Sequence, residues 1–114
     1  MDAKRPRLTL IYAPATRAEF NKIWKYHEKK YNKEHAAEYI DFLPDGIDAL
    51  TTDPHRGMPV DNFPQLRALT LKRSPRGDGH IAIYRVDQAK QAIRVLHVYH
   101  TAQDIQGRLR RKRP

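Results

Sequence analysis

Three short apolar runs in the last third of the chain constrain its fold more than any other feature. They cover residues 66–73, 80–86 and 93–100, and segments rich in Gly, Pro, Asp and Gln separate them. Runs of this length between turn residues are typical of β-strands joined by hairpins. We therefore predict three adjacent antiparallel strands. Strict alternation along the last strand would place on one face the residues Ile93, Val95, His97 and Tyr99.

A strand and a helix are predicted ahead of these runs. Residues 8–13 form a β-branched and aromatic run that ends at Pro14, because proline offers no amide to a partner strand. Thr16 and Glu19 have the spacing of a capping box, which predicts a helix start at Thr16. We expect Trp24 to pack this helix onto the sheet. The apolar stripe of the helix consists of Phe20, Ile23, Trp24, His27 and Tyr31.

A second helix follows the short joint at residues 32–33, so the two helices form an antiparallel hairpin. Pro44 lies inside the second stripe, and its ring clashes with the preceding turn, so we expect a kink or a break near Leu43. Three prolines between residues 54 and 64 predict a loop. The apolar stripe of the second helix consists of Ala36, Ile40, Leu43, Ile47 and Leu50.

These elements predict one α+β domain over residues 1–114. The N-terminal strand joins the three C-terminal strands in a four-stranded sheet, and the helical hairpin covers it. Thr101 as N-cap, with Asp104 in the first turn, predicts a short C-terminal helix. Basic tails flank the domain at about residues 1–7 and 107–114, and we expect the C-terminal tail to be disordered in isolation.

The net charge of +9 is distributed unevenly along the chain, and seven of the nine excess positive charges lie in the two tails. Residues 8–55 contain six Lys and Arg against eight Asp and Glu, whereas residues 56–106 contain eight against four. The strand-rich half is therefore the basic half, which favours an anionic partner, either nucleic acid or an acidic protein segment. Solubility and frayed basic ends explain the same excess without a partner.

Composition and motifs exclude several classes of function. The chain has no cysteine, so disulfides, thiolate metal sites and cysteine nucleophiles are excluded. No apolar run has the length of a membrane span, and we predict a cytoplasmic protein. Phosphate-binding glycine loops, zinc motifs and serine-hydrolase motifs are absent. His97 and His100 are close in sequence, but on a strand their rings point to opposite faces. We expect neither metal nor cofactor.

Basic and aromatic side chains alternate over the predicted strands, and this pattern is typical of surfaces that hold phosphates and stack bases. The candidate partner-binding residues are Arg67, Lys72, Arg73, His80, Arg85, Arg94, His97 and His100, with Arg76 in a connection. A ribonuclease would also need a general acid and a general base. The residues of suitable type are His80, His100, Tyr84 and Tyr99. Solvated polar faces of a sheet explain the same residues without a function.

Several segments occur in an order that is typical of one family of small bacterial proteins. They are residues 12–15 (Tyr-Ala-Pro-Ala), Ile23-Trp24 with Tyr26, residues 53–59 (Asp-Pro-His-Arg-Gly-Met-Pro), Leu66-Arg67, residues 80–86 (His-Ile-Ala-Ile-Tyr-Arg-Val) and residues 93–105. In this order, from Leu8 to about Arg110, the chain resembles the ParE/RelE superfamily of toxins. The resemblance implies a helical hairpin on a twisted antiparallel sheet, and the toxin of a type II toxin–antitoxin system of the plasmid-stabilization kind.

Departures from the pattern distinguish the branches of this superfamily. RelE-like ribonucleases carry an arginine where this chain has Ile81, and their terminal catalytic arginine and tyrosine have no clear counterpart after His100. YoeB-like ribonucleases use a histidine at the position of His100. The resemblance thus leaves open a metal-independent mRNA endoribonuclease with His100, Arg67 and Tyr84 as candidate catalytic residues. ParE-like members lack this catalytic set and inhibit DNA gyrase, so the resemblance favours a non-hydrolytic toxin.

The resemblance also implies protein partners. A cognate antitoxin would neutralise the toxin through an acidic amphipathic tail that folds along the hairpin and sheet, in a heterotetramer or a larger complex. The target would be DNA gyrase, or the ribosome and its mRNA for an endoribonuclease. The third alternative is a non-toxic relative that only binds its antitoxin, or an autonomous basic binding domain.

Overall fold

The computed structural model describes residues 7–75 and 79–111, which form an α+β structure. The elements are β1 (Thr9–Tyr12), α1 (Pro14–Lys30), α2 (Lys33–Asp48), a 3₁₀ turn (Ala49–Thr51), β2 (Met58–Val60), β3 (Phe63–Leu71), β4 (His80–Asp87), β5 (Ala92–His100) and α3 (Ile105–Arg111). This order confirms the predicted strand, helical hairpin, three long strands and short C-terminal helix. Residues 1–6 and 112–114 of the predicted tails, and Arg76, lie outside the described residues. Residues 107–111, predicted as part of a disordered tail, belong to α3.

The sheet has five strands in the order β1-β5-β4-β3-β2, one strand more than predicted. β1 runs parallel to β5, and the other neighbours are antiparallel. The additional strand β2 lies in the proline-rich segment that was predicted as a loop, and β3 begins at Phe63 rather than at Leu66. Pro59 is tolerated in β2 because this strand is at the edge of the sheet, where one side needs no amide donor.

Both helices differ from their predicted form in a local detail. The capping box is wrong: α1 begins at Pro14, a residue suited to the first helical position. The Thr16 hydroxyl instead donates to Ala13 O at 2.6 Å. Of the kink or break predicted near Leu43, the break is wrong, because α2 continues through Pro44 to Asp48. Burial of Leu43 and Ile47, both without solvent exposure, stabilises the helix on either side of the proline.

A β-bulge in β5 reverses the predicted faces of its second half. Ile83 pairs with His97 and Tyr84 pairs with Val95, so Leu96 has no partner in β4. An extra residue of this kind shifts the alternation by one position. Val95 and Val98 therefore share the face under the hairpin, whereas Tyr99 lies on the opposite face. The prediction that Ile93, Val95, His97 and Tyr99 share a face is wrong for the last two residues.

The sheet separates two apolar clusters. The larger one lies between the sheet and the hairpin and includes Ile23, Tyr39, Leu43 and Ile93. The smaller one lies on the other face, where α3 covers Ile83 and Tyr99 with Leu109. Trp24 is half-buried and belongs to neither cluster, so the sheet-facing residue of α1 is its neighbour Ile23. None of the helices in the described part of the chain has an apolar stretch that would span a bilayer.

Candidate functional site

A ladder of aromatic rings joins the tip of the hairpin to one end of the sheet. His80 and His100 are paired across β4 and β5, and their ring centroids are 5.3 Å apart. The Tyr39 hydroxyl from α2 and His80 Nδ1 share a hydrogen bond of 2.7 Å. His27 from α1 stacks on Tyr39 at 4.2 Å and on His35 at 5.2 Å. The fold thus brings together four of the six histidines of the chain.

The half-buried His27 ring of this ladder has one nitrogen without a hydrogen bond to the described residues. Its Nδ1 atom is buried and has no hydrogen-bond partner within the described part of the chain. Burial lowers the pKa of His27, and the nearby His35, Lys30 and His100 lower this pKa further. The lowered pKa favours the neutral ring, which stacks among other rings without the cost of burying a charge.

An open cavity of about 540 Å³ lies beside the ladder, between α1, the end of the sheet and α3. Its walls include His27, His80 and His100, with Lys22 and Arg108 at the side. A smaller cavity of about 250 Å³ shares the three histidines and adds Arg73. Within residues 7–75 and 79–111, no three His, Asp or Glu side chains are arranged to hold a metal ion. The cavity can accept a small polar or anionic group.

Glu19 of α1 connects the helix to β5 just after the bulge. Its Oε1 atom accepts a hydrogen bond from Val98 N at 2.8 Å, and its Oε2 atom lies 2.8 Å from His97 Nδ1. His97 stacks on Tyr99 at 4.8 Å, on the face that α3 covers. Burial, with a smaller effect of the Glu19 charge, raises the pKa of Tyr99 to about 12. His97 and His100 therefore lie on opposite faces, as predicted.

Arg67 and Tyr84 hold the loop before β2 instead of facing solvent. The Tyr84 side chain has no solvent exposure, and its hydroxyl donates to Pro54 O at 2.8 Å and accepts from Gly57 N at 3.0 Å. Arg67 Nη2 donates to Gly57 O at 2.6 Å and to His55 O at 3.1 Å. The Arg67 guanidinium, which was predicted to bind a phosphate, thus donates hydrogen bonds to backbone carbonyls.

The remaining basic candidates are spread over the sheet. Arg85 and Arg94 are paired across β4 and β5, on the face of α3. Arg94 Nε lies 3.4 Å from Asp87 Oδ2. The Lys90 amide first, and then Arg94, lowers the pKa of Asp87. Lys72 and Arg73 follow the end of β3, and Arg73 lies 3.8 Å from Glu38. The eight candidates therefore occupy both faces and do not form one surface.

The three candidate catalytic residues are not brought together. Arg67 pairs with Tyr84, whereas His100 pairs with His80, four residues away along β4. At about 3.3 Å per residue, this separates His100 from the other two by about 13 Å along the strand. Sequence reasoning did not select His27, Tyr39 or Glu19. Their partners are contributed by other elements, a neighbouring helix for His27 and strands for Tyr39 and Glu19, so no local pattern could have identified them.

Comparison with known proteins gives a consistent family. The model of the ParE toxin of type II toxin–antitoxin systems (parDE) matches residues 10–105. Toxin ParE1 of Caulobacter vibrioides is 36% identical over 81 residues, which cover 71% of this chain and 79% of that protein.

Solved structures share the fold. A chromosomal ParDE system from P. aeruginosa contains a chain that superposes with a TM-score of 0.70 at 21% identity, covering 82% of this chain and 96% of that one. A mutant of the E. coli toxin RelE in the free state superposes with a TM-score of 0.59 at 15% identity, covering 94% of this chain and 99% of that one. These matches agree with the helical hairpin and sheet described above.

Proposed function

The chain belongs to the ParE toxin family of type II toxin–antitoxin systems, and from this we propose that it inhibits DNA gyrase without cleaving nucleic acid and that a cognate antitoxin neutralises it. The observation that carries the non-hydrolytic part is the position of Tyr84 and Arg67. Both hydrogen bonds of the buried Tyr84 hydroxyl are internal, and Arg67 Nη2 binds two backbone carbonyls. The Tyr84 hydroxyl is therefore not available to a scissile phosphate, and the Nη2 atom of Arg67 is engaged by the backbone.

The sequence around β4 supports the same proposal. RelE-like ribonucleases resemble this chain but carry an arginine where Ile81 lies. Ile81 packs against the apolar cluster on the α3 face. A cationic donor that stabilises a transition state typically contributes about a hundredfold or more in rate. A chain with isoleucine at this position lacks that contribution.

The face of the sheet that bears α3 is the surface we propose for the antitoxin. Around its buried cluster are partly buried apolar side chains, and the guanidinium groups of Arg85 and Arg94 lie on the same face. The partly buried residues are Phe63, Leu66, Ala68, Ile81 and Ile105. Apolar area flanked by cations is complementary to an amphipathic segment that carries acidic residues.

A supercoiling assay tests the proposed target. Purified toxin is added to DNA gyrase and relaxed plasmid, and we expect the yield of supercoiled plasmid to fall as the toxin concentration rises. Addition of the antitoxin encoded by the neighbouring gene should restore supercoiling, and its co-expression should relieve growth arrest. Unimpaired supercoiling at toxin concentrations that arrest growth would reject gyrase as the target.

An mRNA endoribonuclease is the second candidate, and one observation favours it. His80 and His100 lie side by side in the wall of a cavity that also includes Lys22 and Arg108, which provides an acid–base pair near cations. Primer extension on ribosome-bound mRNA distinguishes the two candidates. Cuts that appear with the wild type and vanish with His100→Ala would replace the gyrase proposal, whereas intact mRNA supports it. A chain that neither arrests growth nor inhibits gyrase would be a non-toxic relative.

A further inference from the structure

The two helices of the hairpin carry opposite exposed charges, which the charge counts for residues 8–55 do not reveal. All five cations of α1 are exposed: Arg17, Lys22, Lys25, Lys29 and Lys30. The exposed acids of the hairpin lie instead on α2: Glu34, Glu38, Asp41, Asp45 and Asp48. The excess of acids in residues 8–55 therefore belongs to one helix, and the other helix presents a positive face.

The positive face of α1 is not neutralised by its own helix. Lys22, Lys25 and Lys29 are spaced by three and four residues, which places them on one side of the helix. None of the ion pairs formed within residues 7–75 and 79–111 includes an α1 lysine. Of the two carboxylates on α1, Glu19 binds Val98 N and His97, and Glu28 is half-buried.

The C-terminal helix extends this positive face. Arg108 of α3 lines the same cavity as Lys22, although the two residues are 86 positions apart in the chain. Arg110 and Arg111 of the same helix are exposed. We call the surface formed by Lys22, Lys25, Lys29, Arg108 and Arg111 the cationic face. Its lysines belong to α1, on the hairpin side of the sheet. Its arginines belong to α3, which lies on the sheet face proposed for the antitoxin.

We propose that the cationic face binds the phosphodiester backbone of double-stranded nucleic acid. Lys22 and Lys29 are about 10 Å apart along the helix, at about 1.5 Å per residue, so the row reaches several phosphates of a duplex. Protein–protein interfaces have an apolar centre and are depleted in lysine, whereas nucleic-acid interfaces are strongly positive. The row contains three lysines and no apolar anchor, which favours phosphate over an acidic protein segment.

A duplex fits this face better than a single strand does. Single strands are bound through exposed aromatic rings on which bases stack. Tyr26, the exposed ring nearest to the row in sequence, already interacts with Lys30. The Nζ atom of Lys30 donates to the Tyr26 hydroxyl at 3.2 Å and lies 5.5 Å from the ring centroid. The row therefore offers charges to a backbone rather than a stacking platform to bases.

Fluorescence anisotropy tests the proposal with the full chain and no gyrase. The probes are labelled duplex DNA, duplex RNA and single-stranded DNA of about 20 nucleotides per strand, titrated between about 50 and 200 mM salt. We expect duplex binding with a Kd of about 1–100 μM that weakens steeply with salt. The duplex DNA and duplex RNA arms identify which helix the face prefers. Absence of duplex binding at the lowest salt, or tighter binding of the single strand, would contradict the proposal.

A charge-matched pair of variants assigns the binding to the cationic face. The triple variant Lys22→Glu, Lys25→Glu, Lys29→Glu should lose at least about tenfold in duplex affinity, and the slope of log K against log salt should fall by about three. The control Lys33→Glu, Lys72→Glu, Lys90→Glu changes the net charge equally at exposed residues elsewhere. The control should lose much less affinity. Equal losses of affinity in the two triple variants would show a general effect of net charge and would contradict binding at the cationic face.

Two other occupants would each overturn the proposal. If poly-glutamate displaces the duplex as well as unlabelled DNA does at equal charge, the face binds acidic protein. If the protein sediments as a dimer at low salt, and the triple variant is monomeric, the face pairs with the acidic row of α2 in a second copy. Circular dichroism and the melting midpoint of both triple variants establish that they are folded, so each result bears on the face itself.

Discussion

The Tyr84 hydroxyl contributes to folding because both of its hydrogen bonds are made inside the protein. Gly57 is part of the same arrangement. A Cβ atom at this position would lie 2.7 Å from Ala68 O and 2.8 Å from the Tyr84 hydroxyl, closer than such contacts allow. The loop before β2 can approach β3 and β4 this closely because residue 57 has no side chain. Strand β2 follows directly from this close approach.

Removal of the Tyr84 hydroxyl should therefore destabilise the protein. We expect Tyr84→Phe to lower the free energy of unfolding by about 1–3 kcal/mol, because Gly57 N and Pro54 O lose their partner in a buried place. Urea unfolding measures this change. Gyrase inhibition, assayed well below the melting midpoint, should persist. A variant of wild-type stability that has lost all activity would instead indicate a chemical role for the hydroxyl.

Glu19 permits a similar test with a graded pair of substitutions. Its carboxylate accepts hydrogen bonds from Val98 N and from His97. Glu19→Ala should lower the free energy of unfolding by about 1.5–3 kcal/mol, since hydrogen bonds to a charged group are lost. Glu19→Gln keeps an acceptor for Val98 N and should lose less. Equal losses in urea unfolding would imply that only the charge matters.

Secondary structure was predicted correctly where local sequence patterns determine an element. The predictions were wrong where contacts with distant residues determine it. Apolar periodicity identified the hairpin and the three long strands, because each pattern is contained in one element. Strand β2 exists only because Gly57 and Arg67 bring the loop onto β3. Helix α2 continues through Pro44 because the main core buries both sides of it. The bulge at Leu96 depends on the pairing with β4, and it decides which histidines share a face.

The candidate site was predictable only in part for the same reason. His80 and His100 are neighbours because β4 and β5 pair in the predicted order. Arg67 and Tyr84 were selected by chemical type and by resemblance, which carry no information on burial. His27 and Tyr39 became visible only when the hairpin was placed on the sheet, because their neighbours are contributed by other elements.

The ring ladder should make the packing of the hairpin tip sensitive to acid. The pKa of His27 in the folded protein is below its ordinary value of 6.5. The unfolded chain thus binds more protons than the folded one near and below this value, and stability falls as the pH falls through 6.5. Urea unfolding between about pH 5 and 8 measures the slope. The slope of stability against pH should be smaller in His27→Phe than in the wild type.

The stability of the molecule depends on one main core, and not every residue of the apolar stripes belongs to it. Leu43 has no solvent exposure and lies in the main cluster, whereas Trp24 is half-buried outside both clusters. We expect Leu43→Ala to lower the free energy of unfolding by about 2–5 kcal/mol, and Trp24→Ala to lower it by less. Thermal melting of both variants measures the difference. A larger loss for Trp24→Ala would place the tryptophan in the core after all.

The parallel pairing of β1 with β5 has a consequence for synthesis of the chain. β1 ends at Tyr12, and its partner strand begins at Ala92, about 80 residues later. At about 5–20 residues per second, a ribosome needs about 4–16 s to make that interval. During this time the first strand has no place in the sheet. Fragments that end before Ala92 lack the strand that joins both halves, so prematurely terminated translation products should be unable to form the toxin fold.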